Sequence, residues 1–174
     1  MSWSPSSIMN GNVAKEGWNI APGSINWWTE LIFHPLTSGL EIATPDFGYF
    51  GGPGYCGGHL FAKDIYGHYN CIDDPNITID VALNSPVARN SSGQYSLSDT
   101  AYKAHDIAYY NAENNINEAQ FILQADLALL QTLANVFANT DYHMDLWERQ
   151  YDLLAADRQW CKYNLRRRRK RRLE

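Results

Sequence analysis

The stretch SDTAYKAHDIAYYNAENNINEAQFILQADLALLQTLANVFAN, residues 98–139, decides the fold. Its apolar residues recur every three to four positions in two blocks, which is the spacing of two amphipathic helices. Ser98-Asp99 has the form of an N-cap with an acidic first turn, so the first helix is predicted over about residues 98–112. The second is predicted over about residues 118–139. Helices joined by so short a connection pack antiparallel.

The predicted hairpin brings three polar side chains level with one another. Counted from Asn115 in the connection, His105 lies ten residues before and Asp126 eleven residues after. Asp126 interrupts an apolar stretch, and a buried carboxylate needs partners, for which His105 and Tyr109 are suited because they share a helix face. A carboxylate that holds one imidazole nitrogen leaves the other as a general base. The alternative interpretation is a polar bridge between two helices without catalysis.

A glycine-rich stretch, DFGYFGGPGYCGG, precedes the hairpin. Residues 46–60 contain seven glycines or prolines and are predicted to form a loop. Alternate glycines let a loop curl until its carbonyls face one centre, and Ca²⁺ accepts backbone carbonyls together with a carboxylate. No Gly-Lys-Ser/Thr follows, which argues against a nucleotide phosphate loop. Asp106, about 100° round the helix from His105, is placed to complete a calcium site.

The order of these motifs resembles the calcium-dependent phospholipase A2 superfamily. The chain is closest in style to the disulfide-poor branch found in parvovirus minor capsid proteins and some bacterial effector proteins. The family's aromatic-x-Gly-x-Gly loop is matched by residues 50–54, with Phe50 where Tyr is usual. Its His-Asp-x-x-Tyr helix is matched by residues 105–109, with Ala108 where the secreted enzymes have Cys, and the second-helix Asp is matched by Asp126.

This resemblance covers about residues 46–130 and implies a fold. It is mainly α, with an antiparallel helix pair and a Gly-rich calcium loop, to which the residue patterns add a C-terminal helix and either a small β hairpin or a loop excursion. About fifty residues separate the loop from the His-Asp motif, a longer link than the family usually has, so residues 59–95 are interpreted as an insertion. We expect one domain over residues 1–165, followed by a basic tail over residues 166–174.

The resemblance also implies an activity, which is hydrolysis of the sn-2 ester of glycerophospholipids by a water molecule and without a Ser or Cys nucleophile. In this role His105 would take the proton from the water, Asp126 would orient His105, and Tyr109 would donate to Asp126. The N–H of Gly52 would help to stabilise the oxyanion.

The cofactor implied by the resemblance is Ca²⁺. Its ligands would be the carbonyls of Phe50, Gly52 and Gly54 and the carboxylate of Asp106, with water or substrate filling the remaining positions.

Three other segments carry weaker signals. Residues 25–33 are predicted as a short helix whose Trp27-Trp28 pair either packs in the core or forms a membrane-interfacial patch. Residues 61–95 contain short alternating segments, such as residues 77–81, predicted as a hairpin or a loop excursion. A third long helix, capped by Thr140-Asp141, is predicted to run toward residue 165 on the following apolar residues: Met144, Leu146, Trp147, Tyr151, Leu153 and Leu154.

Composition limits the class of protein. The 174 residues are 45% apolar and 19% charged, as in a globular domain. Residues 166–172 hold seven of the fourteen basic residues, which leaves seven basic and eighteen acidic residues in 1–165, a net charge of −11. Binding of nucleic acid by the whole surface is therefore not expected. The basic run is predicted to be a solvated, disordered tail that contacts either anionic lipid or a nuclear-import receptor. Leu173-Glu174 is interpreted as a cloning remnant.

The cysteine content argues against a disulfide-stapled secreted scaffold, since only three cysteines are present. Cys56-x-x-His59 and His68-x-x-Cys71 have zinc-like spacing, which leaves three alternatives: a zinc site, a Cys56–Cys71 disulfide, or unpaired thiols. No signal peptide and no apolar run of roughly 18 residues is present. We expect synthesis in the cytoplasm, no transmembrane segment, and peripheral contact with phospholipid surfaces; action in another cell, as a toxin or effector, would need a different export route.

Three functions therefore compete. The first is a calcium-dependent phospholipase A2, the second a catalytically silent lipid- or protein-binding module, and the third a nucleic-acid-binding or import-linked protein acting through residues 166–172.

Overall fold

The computed structural model describes residues 25–26, 46–52, 54–72 and 74–173. This part of the chain is mainly helical, as predicted. Its strands are β1 (Ile25–Asn26), β2 (Asp46–Phe47), β3 (Tyr55–Cys56), β4 (His59–Lys63) and β5 (Tyr69–Cys71). Its helices are α1 (Ile79–Leu83), α2 (Leu97–Ala112), α3 (Glu118–Ala138) and α4 (Leu146–Leu173). Strands β1 and β2 form an antiparallel pair, and β3, β4 and β5 form an antiparallel sheet in that order.

The predicted hairpin is formed by α2 and α3, which pack together and are joined by residues 113–117. The N-cap of α2 is Ser96, whose hydroxyl accepts from the N–H of Asp99 at 3.0 Å, and not the expected Ser98. Ser98 is the second residue of the helix and donates instead to Asp152 on α4, at 2.5 Å. Two serines fit the local capping pattern, and a tertiary hydrogen bond decides between them.

Helix α4 corrects two predictions. It begins at Leu146 and not after Thr140-Asp141, because the connection before it is fastened elsewhere: Asn90 donates to the carbonyl of His143 at 2.8 Å. It also continues to Leu173, so the basic run is helical and not a disordered tail. Arg and Lys have good helix propensity, and Arg166 is anchored to α3.

The buried face of α4 combines the ring of Tyr151 with two acids. Glu148 and Asp152 are fully buried and accept hydrogen bonds from Ser96 and Tyr102, at 2.8 and 2.6 Å. The leucines of the predicted apolar pattern lie on the exposed side of α4, where Leu153 is 53% exposed. Hydroxyl donors on α2 and its cap therefore help to select the packed face of α4. Of the predicted apolar pattern, Tyr151 is buried on this face, whereas Leu146, Leu153 and Leu154 are exposed.

The segment between the loop and the hairpin contains the predicted β hairpin, β4–β5. It also contains a correction, because residues 79–81 form the start of helix α1 and not a strand. The hydroxyl of Thr78 caps this helix by accepting from the N–H of Val81. The stretch predicted as pure loop holds β2, β3 and the start of β4.

The helix expected over residues 25–33 is replaced at Ile25–Asn26 by strand β1, and the remainder of that segment, with its tryptophans, lies outside the described residues. Helix α3 is 21 residues long and apolar enough, by length and composition alone, to cross a membrane. The core helix of a globular domain meets the same criteria, so the absence of a transmembrane segment stays a prediction.

The core joins the loop to the long helices. Phe47 stacks on Tyr151 of α4 with ring centroids 5.3 Å apart, and Tyr102 of α2 meets the same ring edge-on at 5.4 Å. Leu129 and Leu133 of α3 complete this cluster. The glycine-rich loop is thereby packed against the helix that carries the candidate site.

Candidate active site

The predicted contact across the hairpin is present. Nε2 of His105 lies 3.2 Å from Oδ1 of Asp126, and the Tyr109 hydroxyl donates to the same oxygen. The Asp126 side chain is 0% exposed. Burial alone would raise the pKa of Asp126, but the hydrogen bonds from His105 and Tyr109, with the charge of Arg166, outweigh burial and lower it. An ionised carboxylate therefore holds Nε2–H and leaves Nδ1 of the imidazole on the other side of the ring.

Arg166 is a fourth member of this hydrogen-bonded group, and the sequence did not indicate it. Its Nη1 donates to the Tyr109 hydroxyl at 2.6 Å and to Oδ2 of Asp126. It comes from the first position of the basic run, forty residues after Asp126. No local pattern distinguishes this arginine from the neighbours that follow it.

A second face of α2 lies along the glycine-rich loop. Asp99 is fully buried, and its carboxylate accepts from the backbone N–H groups of Tyr49, Phe50 and Ala88, at 3.1, 2.9 and 2.8 Å. Burial raises the pKa of Asp99 to about 6, with these hydrogen bonds acting in the opposite direction. The sequence indicated Asp99 only as a first-turn acid, whereas it fastens the start of the loop to α2.

Asp106 lies two turns further along this face. Its Oδ2 is buried and has no hydrogen-bond partner within the described part of the chain. Burial, and then the charge of Asp99, raise its pKa well above the ordinary value. Asp106 in turn contributes to raising the pKa of Cys56 and Tyr69, which places its charge near the end of the loop and the β4–β5 hairpin. A buried carboxylate oxygen without a donor is costly unless a cation or a proton satisfies it.

The expected carbonyl ligands lie in a loop with defined turns. The carbonyl of Gly52 accepts from Tyr55 at 3.3 Å, and that of Gly54 accepts from Phe61 at 2.7 Å. Each carbonyl oxygen has a second lone pair that a metal ion can use. Convergence of the carbonyls of Phe50, Gly52 and Gly54 on Asp106 stays a prediction.

The cysteine and histidine pairs do not form a centre. Within the described residues no cluster of three or more His, Cys, Asp or Glu side chains is placed to hold a metal ion, so Cys56, His59, His68 and Cys71 do not converge. Cys56 and Cys71 are not disulfide-bonded. Burial raises the pKa of the Cys56 thiol to about 12, which keeps it protonated and unreactive.

Helix α2 thus carries two chemically different faces. His105 and Tyr109 face α3, where a buried carboxylate orients an imidazole. Asp99 and Asp106 face the loop, where Nζ of Lys103 donates to the carbonyl of Ser85 and lies 5.4 Å from the centre of the Phe50 ring. The first face suits proton transfer, and the second suits a hard cation. No protein-family model matches the chain, and comparison with curated proteins and with solved structures finds no similar protein.

Proposed function

We propose that this protein is a calcium-dependent phospholipase A2 that hydrolyses the sn-2 ester of glycerophospholipids. The observation that carries the proposal is the division of α2. The His105–Asp126 pair lies on one face, and Asp106, with a buried oxygen that lacks a donor, lies on the face toward the glycine-rich loop. The motif resemblance supplies the reaction class.

The chain's own residues perform the proton transfer in this proposal. Nδ1 of His105 takes a proton from a water molecule as that water attacks the ester carbonyl. Asp126 holds Nε2–H, which fixes the tautomer and stabilises the imidazolium that forms, and the hydroxyl of Tyr109 holds Asp126 in place. His105 then returns the proton to the leaving alkoxide of the lysophospholipid.

The residues present fit a calcium ion. Asp106 would supply the carboxylate, and the carbonyls of Phe50, Gly52 and Gly54 would supply neutral oxygens. Asp99 holds the loop by accepting a hydrogen bond from the N–H of Phe50. A nearby divalent charge would lower the pKa of Asp106, which burial now raises. When bound, Ca²⁺ would supply positive charge against the negative oxygen that develops on the attacked ester, and the N–H of Gly52 would donate to the same oxygen.

Access to lipid would come from a peripheral surface. Ile65 and Tyr66, at the tip of the β4–β5 hairpin, are 87% and 78% exposed. Residues 166–172 add a strongly basic segment that would favour anionic lipid.

The second candidate is a silent lipid- or protein-binding module. It is favoured by the complete satisfaction of Asp126, whose two oxygens are both hydrogen-bonded, as in a purely structural bridge. A structural bridge, however, gives no role to the donor-free oxygen of Asp106. The phospholipase proposal accounts for both faces of α2.

The test is release of labelled fatty acid from phosphatidylcholine that carries the label at either the sn-1 or the sn-2 position, with calcium or with a chelator. We expect release of the sn-2 label in calcium alone. Binding to the vesicles without release in either condition would support the silent module and contradict the proposal.

A further inference from the structure

The beginning of the basic run is built into the candidate site. Arg166 is the first of the seven basic residues at 166–172, and its guanidinium lies within hydrogen-bonding distance of Tyr109 and Asp126. Its Cζ is also 5.6 Å from the centre of the Tyr109 ring. The Arg166 side chain is 37% exposed, so the guanidinium contacts are made by a partly buried residue.

The two oxygens of Asp126 are divided between different kinds of donor. Oδ1 receives His105 and Tyr109, and Oδ2 receives Arg166. Among the donors that the described residues provide to Asp126, Arg166 is the one with a permanent charge, because its guanidinium stays protonated at any working pH. A fully buried carboxylate requires such a counter-charge, and removal of one partner of a buried ion pair leaves an uncompensated charge.

The position of Arg166 also fixes the orientation of the Asp126 carboxylate. A guanidinium that holds Oδ2 prevents rotation of the carboxylate about its Cβ–Cγ bond, so that Oδ1 stays directed toward His105. The shared hydrogen bond to Tyr109 ties the third partner to the same arrangement. Arg166 touches neither the water nor the ester in the proposed reaction, and it acts through Asp126.

We propose that Arg166 is a positioning residue, which keeps Asp126 ionised and directed at His105, so that the basic run begins inside the active site and is not a separate appendage. This inference deepens the proposed function and rests on it for the kinetic consequence. Substitution of Arg166 is therefore expected to change the chemical step, and not merely the attraction to anionic surfaces.

The experiment compares wild type with Arg166→Met and Arg166→Lys on zwitterionic phosphatidylcholine in calcium. Arg166→Met should lower kcat by about 10- to 100-fold with KM within about twofold, as for loss of a residue that orients a ligating or catalytic group. Arg166→Lys should restore part of kcat. The matched control is Arg158→Met, which removes the same charge from the same helix eight residues earlier and should leave both constants unchanged. Unchanged kcat in Arg166→Met, or a raised KM with unchanged kcat, would overturn the proposal.

A spectroscopic readout separates this inference from the proposed function. The Nε2–H of His105, held by Asp126, should give a downfield proton resonance in the NMR spectrum, assigned by its loss in His105→Asn. The signal should shift or disappear in Arg166→Met and persist in Arg158→Met. If wild type hydrolyses no phospholipid but the signal responds in this way, the proposed function fails and the positioning role holds. An unaltered signal in Arg166→Met contradicts the positioning role whether or not hydrolysis is found.

Discussion

Asp106 and Asp126 are buried carboxylates in opposite electrostatic situations. Asp126 has donors at both oxygens and a guanidinium beside it, and its pKa is lowered. Asp106 has a buried oxygen without a donor and a second acid, Asp99, nearby, and its pKa is raised. Environments that lower the pKa of one carboxylate and raise the pKa of another are typical of sites where each has a separate chemical task.

At the residue scale, Asp106→Asn should stabilise the calcium-free protein. The amide removes a carboxylate whose ionised form is disfavoured by burial, so the free energy of unfolding near neutral pH should rise by on the order of 1 kcal/mol. Urea unfolding in chelator measures this change. The control is Asp157→Asn on the exposed side of α4, which should have no measurable effect. A calcium-free Asp106→Asn protein less stable than wild type would refute this account of Asp106.

Gly48 offers a test of the contact between Asp99 and the loop. It has φ +59°, and an added Cβ would lie 2.5 Å from the carboxyl of Asp99. Gly93 has φ +82° with open space around it, so Gly93→Ala introduces backbone strain alone, about 1 kcal/mol.

Gly48→Ala should cost roughly 2 kcal/mol more than Gly93→Ala, since it also displaces a buried acid with three backbone donors. It should also weaken calcium binding, which Gly93→Ala should not. Unfolding and calcium titration measure the two effects. Equal losses in both variants would show that Asp99 does not organise the loop.

At the element scale, the α2–α4 contact is made by acids paired with hydroxyl groups. Asp152 accepts from Ser98 and Tyr102, and burial raises its pKa to about 7, with further contributions from the charges of Glu148 and Asp99. None of these contacts gives the buried acids of α4 a cationic partner. Its stability therefore depends on protonation.

The pH dependence of this contact has a definite sign. Because the folded pKa of Asp152 lies above its unfolded value of 3.8, the native state binds more protons between those values. The free energy of unfolding should fall as pH rises through this window and level off above about pH 7. Asp152→Asn should make the fall between about pH 5 and about pH 7 shallower, as measured by urea unfolding. A fall of the same size in both proteins would contradict the assignment.

The packed face of α4 can be tested against the face that hydrophobic periodicity favours. Leu133 of α3 is 1% exposed, whereas Leu153 of α4 is 53% exposed. Leu133→Ala should cost about 2–5 kcal/mol, and Leu153→Ala less than about 1 kcal/mol. Thermal or urea unfolding of the two variants measures the loss in the free energy of unfolding. A large loss from Leu153→Ala would mean that α4 packs through its leucines.

At the scale of the whole molecule, the sequence predicts those parts whose geometry is local. The hairpin and the His105–Asp126 contact follow from helical periodicity and a short connection, which together fix which residues lie level. Two hydrogen bonds are not predictable in this way, the one from Arg166 to Asp126 and the one from the Phe50 N–H to Asp99. They join residues forty or more positions apart, through interactions that depend on tertiary packing.

The α4 face and the fate of the basic run illustrate the same limit. An apolar pattern assigns Leu153 inward, but Ser98 and Tyr102 provide donors that bury Asp152 instead. A run of like charges predicts solvation on average, and it does not reveal that its first member, Arg166, has a buried partner.

The central claim is that α2 divides its residues between a base and a metal. It is tested most directly by measuring calcium binding by calorimetry and phospholipid turnover in parallel for two variants. His105→Asn should bind calcium as wild type does and lose about 10²- to 10⁴-fold in turnover, because only the base is removed. Asp106→Asn should lose both. Full turnover in His105→Asn, or unchanged calcium binding in Asp106→Asn, would contradict the claim.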